Sequence, residues 1–466
     1  MTKKNWAGRA PTRKKSERIR RLSAKNYIIG GRIIKMKIDD VASIIEKGDS
    51  NELRRILETG QFDDINDRKD ARSGQTLLMI ACKSGFIDCV KVLLDCNAEL
   101  NNPDQSGSIL SCACESGSVD MVRFIIASGF KISDREIMHV FKLRDLMQKT
   151  ETIAILIDYI VNINASHRYI FLFWASRAGN AEIVRLLIER GADPNKLYYD
   201  CDDALLEATR EGHLEVVKLL VEWNSDKMPI SQDRLVQALE SATCFGYTPI
   251  VSYLCEHVLE SSAHAAAFRL AVEYNQVFVA EYLIDNGVQW QTTGTDAFSP
   301  LTYACRNQFV DMVRLLVARG ADVNKVDFTG YSPLQAAIRC SDIVEVLLAA
   351  GADPNAYFTD GSTALLKVLL SSSDQANGIL LLLLQHGADP NLAHADTGNT
   401  ALMAAALTVS IYQIDQLLEH GADVTLVNHA GNSVLDMLVN PPYAQVVELC
   451  QQYIDINQQI AKPFLK

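Results

Sequence analysis

The chain has 466 residues and a formal net charge of −12, with 48% hydrophobic and 22% charged residues, a balance that excludes a wholly disordered chain and a collagen-like or fibrous one. Its eleven cysteines form no CxxC pair, and several (Cys82, Cys112, Cys114, Cys305, Cys450) sit inside apolar helical patterns. The expectation is reduced core thiols rather than a disulfide framework. No apolar run approaches the length of a membrane span, and the basic start lacks the apolar segment of a secretory signal.

Charge divides the chain. Residues 1–37 hold 13 Lys/Arg against one acid, Glu17, while the remainder holds 32 Lys/Arg against 56 Asp/Glu. The basic cluster Arg13, Lys14, Lys15, Arg18, Arg20 and Arg21 reads as a disordered tail. It suits weak electrostatic contact with nucleic acid or an anionic membrane, a nuclear import signal, docking on the acidic body, or simple solvation. Ser16 and Ser23 follow basic residues in the pattern that basophilic kinases accept, and phosphate there would weaken such contacts.

After the tail, residues 38–66 are expected to form a capping repeat of two short amphipathic helices, with Val41, Ile44, Ile45, Leu53, Ile56 and Leu57 on their apolar faces. The repeat array is expected over 67–427. "GADPN" stands at Gly191–Asn195, Gly351–Asn355 and Gly387–Asn391, with variants at Gly320–Asn324 and Gly421–Thr425. From Gly320 the steps to Gly351, Gly387 and Gly421 are 31, 36 and 34 residues. A second spacing recurs within each unit. An apolar residue precedes the closing Gly or Asn by 19 positions in Leu78/Asn97, Leu110/Gly129, Leu172/Gly191, Leu205/Asn224, Phe268/Gly287, Leu301/Gly320 and Leu402/Gly421.

The unit Asp202–Asn224 displays the internal pattern. A short apolar helix (Leu205, Leu206, Ala208) stops at Gly212. A second apolar stripe follows at helical spacing (Leu214, Val216, Val217, Leu219, Leu220), and then a polar turn. Such a hairpin is too small to bury its own apolar faces, so stacking of about a dozen units into one elongated core is required.

These features resemble the ankyrin repeat: the period near 33, "GHLEVV" at Gly212–Val217, the GAD-closed helices, the "SPL" of Ser299–Leu301 and Ser332–Leu334, and the "DxxG" turn of Asp327–Gly330. The resemblance covers roughly residues 38–458 and implies an all-α solenoid with short β-hairpin fingers. Residues 131–165 and 225–262 are degenerate but keep apolar stripes. The histidine of the family's first helix is replaced by Thr302, Gln335, Leu366 and Met403, which predicts loss of a polar staple between hairpins. One unit is short near Cys340–Asp342, and the next is long, predicting a loop at 371–377. Residues 428–466, interrupted by Pro441 and Pro442, are expected to cap the far end.

Motifs for catalysis are missing from the sequence: there is no phosphate-binding glycine loop, zinc-protease pair or nucleophile elbow. No cofactor or metal is expected, and Cys112 and Cys114 have no second pair to complete a site. His386 and His420, just before closing glycines, suit the free carbonyls of a helix end. The repeated Asp193, Asp322, Asp353, Asp389 and Asp423 read as turn braces rather than a catalytic row.

The resemblance implies a protein-binding, non-enzymatic scaffold, adaptor or inhibitor in the cytosol or nucleus. A nuclear or nucleic-acid-associated regulator acting through the tail, and a microbial effector acting on host proteins, are the alternatives. Finger aromatics are the candidate partner contacts: Tyr198, Tyr199, Trp290, Phe328, Tyr331, Tyr357 and Phe358. Packing between fingers is the competing role for them. Asn195 and Asn324, eight residues after Leu187 and Leu316, stand where the resemblance implies asparaginyl hydroxylation.

Overall fold

The structure is a computed structural model that describes residues 37–59, 62, 65–66, 75–100, 109–142, 149–163, 168–195, 203–223, 230–291, 299–371, 374–438 and 444–461. The described residues contain 26 helices and no strand. They divide into two compact units, Met1–Ser231 and Gln232–Lys466, and the division falls within the segment where the repeat signatures lapse.

Unit 1 contains six helical hairpins: α1 (Ile38–Glu46) with α2 (Ser50–Glu58), α3 (Leu77–Ser84) with α4 (Ile87–Asp95), α5 (Ile109–Glu115) with α6 (Val119–Ala127), α7 (Asp134–Lys142) with α8 (Thr150–Ile163), α9 (Arg168–Ala178) with α10 (Ala181–Glu189), and α11 (Ala204–Arg210) with α12 (Leu214–Trp223). Unit 2 contains seven: α13 (Gln232–Phe245) with α14 (Thr248–Cys255), α15 (Ser261–Glu273) with α16 (Val277–Asp285), α17 (Pro300–Arg306) with α18 (Val310–Ala318), α19 (Pro333–Ala337) with α20 (Ser341–Ala349), α21 (Ala364–Leu369) with α22 (Ala376–Gln385), α23 (Ala401–Thr408) with α24 (Ile411–Glu419), and α25 (Val434–Met437) with α26 (Ala444–Ala461).

Short side chains start these helices. Thr76, Asp203, Ser299, Ser332, Thr363 and Thr400 each accept the backbone N–H three residues on, satisfying a donor that the first turn leaves free. The second helices bury an i, i+1, i+4, i+5 stripe such as Ile183, Val184, Leu187 and Ile188. First helices are nearly all apolar (Leu77 to Cys82, Ala401 to Ala406) because neighbouring hairpins cover them on both sides. Each such Leu, Ile or Val contributes about 1.5–3 kcal/mol by leaving water. That gain exists only in the stack, where α3 lies against α5 and α9 against α11 in unit 1, and α17 against α19 and α21 against α23 in unit 2.

The letters GA close the second helices by one geometry. Gly191, Gly320, Gly351, Gly387 and Gly421 all have φ between +83° and +90°. Their N–H groups bond back three residues, and the following alanine N–H bonds back five, as in Ala192 to Leu187 O at 3.0 Å. This is the double bond pattern of a left-handed helix cap. Asn97, at the same position, takes φ +66°.

Two expectations are modified. The fingers are closed by turns rather than by strand pairs, and an isolated bridge joins Val427 and Ser433. The loop expected at 371–377 is shorter, since α22 begins at Ala376.

Candidate protein-interaction surface

The fingers best described lie in unit 2, and the GADxN turn builds their base. The Asp side chain accepts the N–H two residues on: Asp193 from Asn195, Asp322 from Asn324, Asp353 from Asn355 and Asp389 from Asn391, all at 2.9 Å, and Asp423 from Thr425 at 2.8 Å. The carboxylates that might have formed a catalytic row are thus turn braces, as their spacing in the repeat suggested.

The Asn then ties each turn to the next. Asn324 donates its amide to Gly351 O (3.1 Å) and accepts from Asp353 N (2.9 Å). Asn355 bridges Gly387 O (3.0 Å) and Asp389 N (2.7 Å), and Asn391 bridges Gly421 O (3.0 Å) and Asp423 N (2.7 Å). A side chain with one donor and one acceptor face is needed at each step, which explains Asn over the acceptor-only Asp. This ladder was not anticipated from the sequence, although the repeated Asn and its fixed place after the helix were its signal.

Beyond the ladder the chain turns back through a second glycine. In the first of these fingers Asp327 N–H donates to Tyr331 O, and the Asp327 carboxylate accepts Thr329 N, Thr329 Oγ1 and Tyr331 N at 2.5–2.9 Å. Arg306 reaches Asp327 at 3.1 Å and lays its guanidinium 5.4 Å from the Tyr331 ring centroid. Burial pushes the Asp327 carboxyl up, but the Thr329 and Tyr331 hydrogen bonds and the Arg306 charge outweigh it and hold it below the ordinary carboxylate value. In the next finger Phe358 N–H donates to Ser362 O, and Asp360 accepts Ser362 N (3.1 Å) and Oγ (2.5 Å) and pairs with Lys367. Successive fingers are joined directly, Ala395 N to Gly361 O at 2.8 Å and His429 N to Thr397 O at 3.1 Å.

This register decides which aromatics face out. Phe328 is 74% exposed, and Tyr331 and Tyr357 are also exposed. Phe358 is 5% exposed, a correction to its place among the partner contacts. Its backbone hydrogen bonds match those of Asp327, so it occupies the inward position of the finger. Trp290 is half-buried, with its ring centroid 5.7 Å from that of the buried Phe268, which is the packing role rather than a free face. Tyr198 and Tyr199 lie outside the described residues, as do Ser16, Ser23 and the tail bases Arg13, Lys14, Lys15, Arg18, Arg20 and Arg21.

The polar staple expected to be lost survives in one hairpin. Gln335 Nε2 donates to Thr359 Oγ1 of the next finger at 3.2 Å. A longer amide reaches where the usual imidazole would, whereas Leu366 and Met403 are simply buried. His420 Nδ1 meets Gln416 O at 2.8 Å in the helix-end role assigned to it.

Burial pushes the Cys112 and Cys114 thiols up to about 12. They are therefore neutral at physiological pH and weak as nucleophiles or metal ligands. No group of three or more metal-binding side chains occurs among the described residues. Likewise, among the described residues no helix is long and apolar enough to cross a membrane.

Known proteins share this architecture. Family profiles described as "Ankyrin repeats (3 copies)" match residues 41–136 and 268–358, and "Ankyrin repeats (many copies)" match 172–221. Similar proteins include the ankyrin repeat and KH domain-containing protein mask-1 of Caenorhabditis elegans, 25% identical over 54% of this chain and 11% of its own length. The mitochondrial disaggregase of Bos taurus is 35% identical over 29% of this chain and 20% of its own. The protein PhlB of Serratia liquefaciens is 41% identical over 21% of this chain and 41% of its own. The chain thus spans less than half the length of these relatives, and their similarity lies in the repeats. The profile matches, which together cover half of the sequence, and the stacked hairpins with their GAD caps place the chain in the ankyrin-repeat family.

Proposed function

We propose that the chain is a non-catalytic adaptor or inhibitor that binds a partner protein through the fingers and first helices of unit 2. Ankyrin repeats are protein-interaction modules, and the repeat leaves only its non-repeating side chains to define what is bound. One observation carries the reading: the finger bases are fixed by the asparagine ladder while Phe328, Tyr331 and Tyr357 stay exposed above them. Rigid exposed aromatics supply interface energy at small entropic cost, often about 2 kcal/mol or more each on truncation. Affinity purification with the full chain and with Phe328→Ala/Tyr331→Ala/Tyr357→Ala tests it. A partner retained by the first and lost by the second is expected; an identical set from both discards the finger surface.

A second reading rests on the 13 Lys/Arg of residues 1–37. In it the tail contacts the phosphates of a nucleic acid in the nucleus. Such binding falls steeply with salt, whereas a finger-mediated complex falls less. Titration of labelled duplex DNA at rising NaCl, with Arg20→Ala/Arg21→Ala as control, separates the two.

A further inference from the structure

The last full hairpins of unit 2 place apolar residues where several earlier ones place charged residues or glycine. Seven residues after the N-cap, four hairpins place a base, although Glu115 and Glu273 hold the register in two others. Lys83, Arg210, Arg306 and Arg339 follow Thr76, Asp203, Ser299 and Ser332 in this way. A cation there complements the free carbonyls of the helix end. After Thr363 and Thr400 the same register holds Leu370 and Leu407, 62% and 49% exposed.

Nine residues after the N-cap comes a position with positive φ, filled by Gly85, Gly212 or the polar Gln308. After Thr400 it is Val409, at φ +57° and ψ +29°, a conformation that a β-branched side chain resists. At the twelfth residue after the N-cap several second helices carry an acid in their first turn, Asp88, Glu215 or Asp311, whereas α16 holds Phe278 at the matching place. After Thr400 it is Tyr412, 47% exposed, beside the exposed Ile411.

These exceptions fall together. α21 packs beside α23, so Leu370 and Leu407 mark equivalent ends of adjacent helices. Val409, Ile411 and Tyr412 continue the apolar surface round the turn into α24. The surroundings are mainly acidic, with Arg339 at the same register in the preceding hairpin as the exception. Residues 340–461 contain 13 Asp/Glu and one basic residue, Lys367, which is paired with Asp360. Asp374 follows Leu370 by four positions. Asp415 and Glu419 stand one and two turns beyond Ile411 on α24.

We propose that this turn surface docks a basic amphipathic segment of a partner protein. Its aliphatic side chains seat on Leu370, Leu407, Val409, Ile411 and Tyr412, and its Lys/Arg side chains meet Asp374, Asp415 and Glu419. The sign of the charge rejects phosphate-bearing ligands and anionic membranes. The inference rests on the protein-binding reading above but on residues away from the finger aromatics, and it names the partner's chemistry.

Two labelled helical peptides of one amphipathic pattern, Leu/Lys and Leu/Glu, titrated into the full chain, test it. The Leu/Lys peptide binds and weakens with salt; the Leu/Glu peptide does not bind. Leu370→Arg/Leu407→Arg introduces at these exposed positions the residue type used by four other hairpins, so the fold tolerates it, and it weakens the Leu/Lys peptide about tenfold or more. Val409→Gly raises the urea midpoint and weakens the peptide together. Equal binding of both peptides, no binding of either, or unchanged affinity in the double-Arg variant overturns the proposal. If the double-Arg variant loses the peptide but Tyr412→Asp, a second fold-compatible change, leaves affinity unchanged, the loss is a folding defect and the proposal is overturned. Partners lost in the Phe328/Tyr331/Tyr357 variant but kept in both turn variants sink this inference and leave the proposed function standing.

Discussion

Asp327 gathers more interactions than any other finger residue described: three hydrogen bonds from Thr329 and Tyr331, and the Arg306 guanidinium. Removing the carboxylate leaves those donors short of an acceptor in a side-chain site only 5% exposed. Asp327→Ala is expected to cost about 2–4 kcal/mol, read as a fall in the urea midpoint. Asp327→Asn should cost about half as much. Asn428, at the matching place three fingers on, already accepts Ala430 N and Asn432 N at 3.0 Å through its amide oxygen. Equal losses from Ala and Asn would show that the acceptor is not what matters. The carboxyl is held below its ordinary value in the folded state. Its contribution is therefore full above the unfolded value near pH 4 and is lost as pH falls through the folded value. The gap between wild type and Asp327→Asn should close over that range.

At the scale of one repeat element, GADPN shows what the sequence made legible. The glycine cap and the Asp brace follow from the chemistry of Gly and Asp at a helix end, and five copies made the pattern plain. The Asn ladder was hidden because its partners lie about 30 residues away, a neighbour relation that exists only once hairpins stack. Phe358 was misplaced for a related reason. The finger's register is set by which N–H closes its turn, and with Asp360 rather than residue 358 acting as the acid, the DxxG spacing no longer marks the inward position. Gln335 was misread as a lost staple because family pattern, not reach, was the guide. The turn surface of Leu370, Leu407, Val409 and Tyr412 could have been found by comparing copies position by position, since each is apolar or aromatic where most copies hold a charged residue or glycine. The ladder itself is testable. Asn355→Ala removes two hydrogen bonds between successive turns, and a loss of about 2 kcal/mol is expected. Asn355→Asp, which keeps only the acceptor, should fall between. A change within about 0.5 kcal/mol of wild type, the ordinary scatter of surface substitutions, would mean that water replaces the ladder without cost.

Over the whole chain the dominant feature is how unevenly charge is spread. The 122 positions 340–461 carry a formal −12, equal to the net charge of all 466 residues. Several of these acids have a structural use, such as the turn braces Asp353, Asp389 and Asp423. Asp374 and Glu419 are exposed and brace no such turn, and their mutual repulsion with the rest is a standing cost to the folded unit. Salt shortens the range of that repulsion, from about 30 Å at 0.01 M to about 3 Å at 1 M. Ion pairs respond in the opposite sense, but the exposed ones, such as Arg319 with Glu281 and Asp285, contribute little each. Repulsion therefore wins, and the urea midpoint of the transition that includes unit 2 should rise as NaCl is raised from low to moderate concentration. Asp374→Lys/Asp415→Lys should raise the midpoint at low salt and flatten the response. A midpoint that falls with NaCl in the wild-type chain would show that attractive pairs outweigh the acidic excess. It would also remove the argument that this excess is kept for a basic partner, since acids that already stabilise the unit need no other explanation.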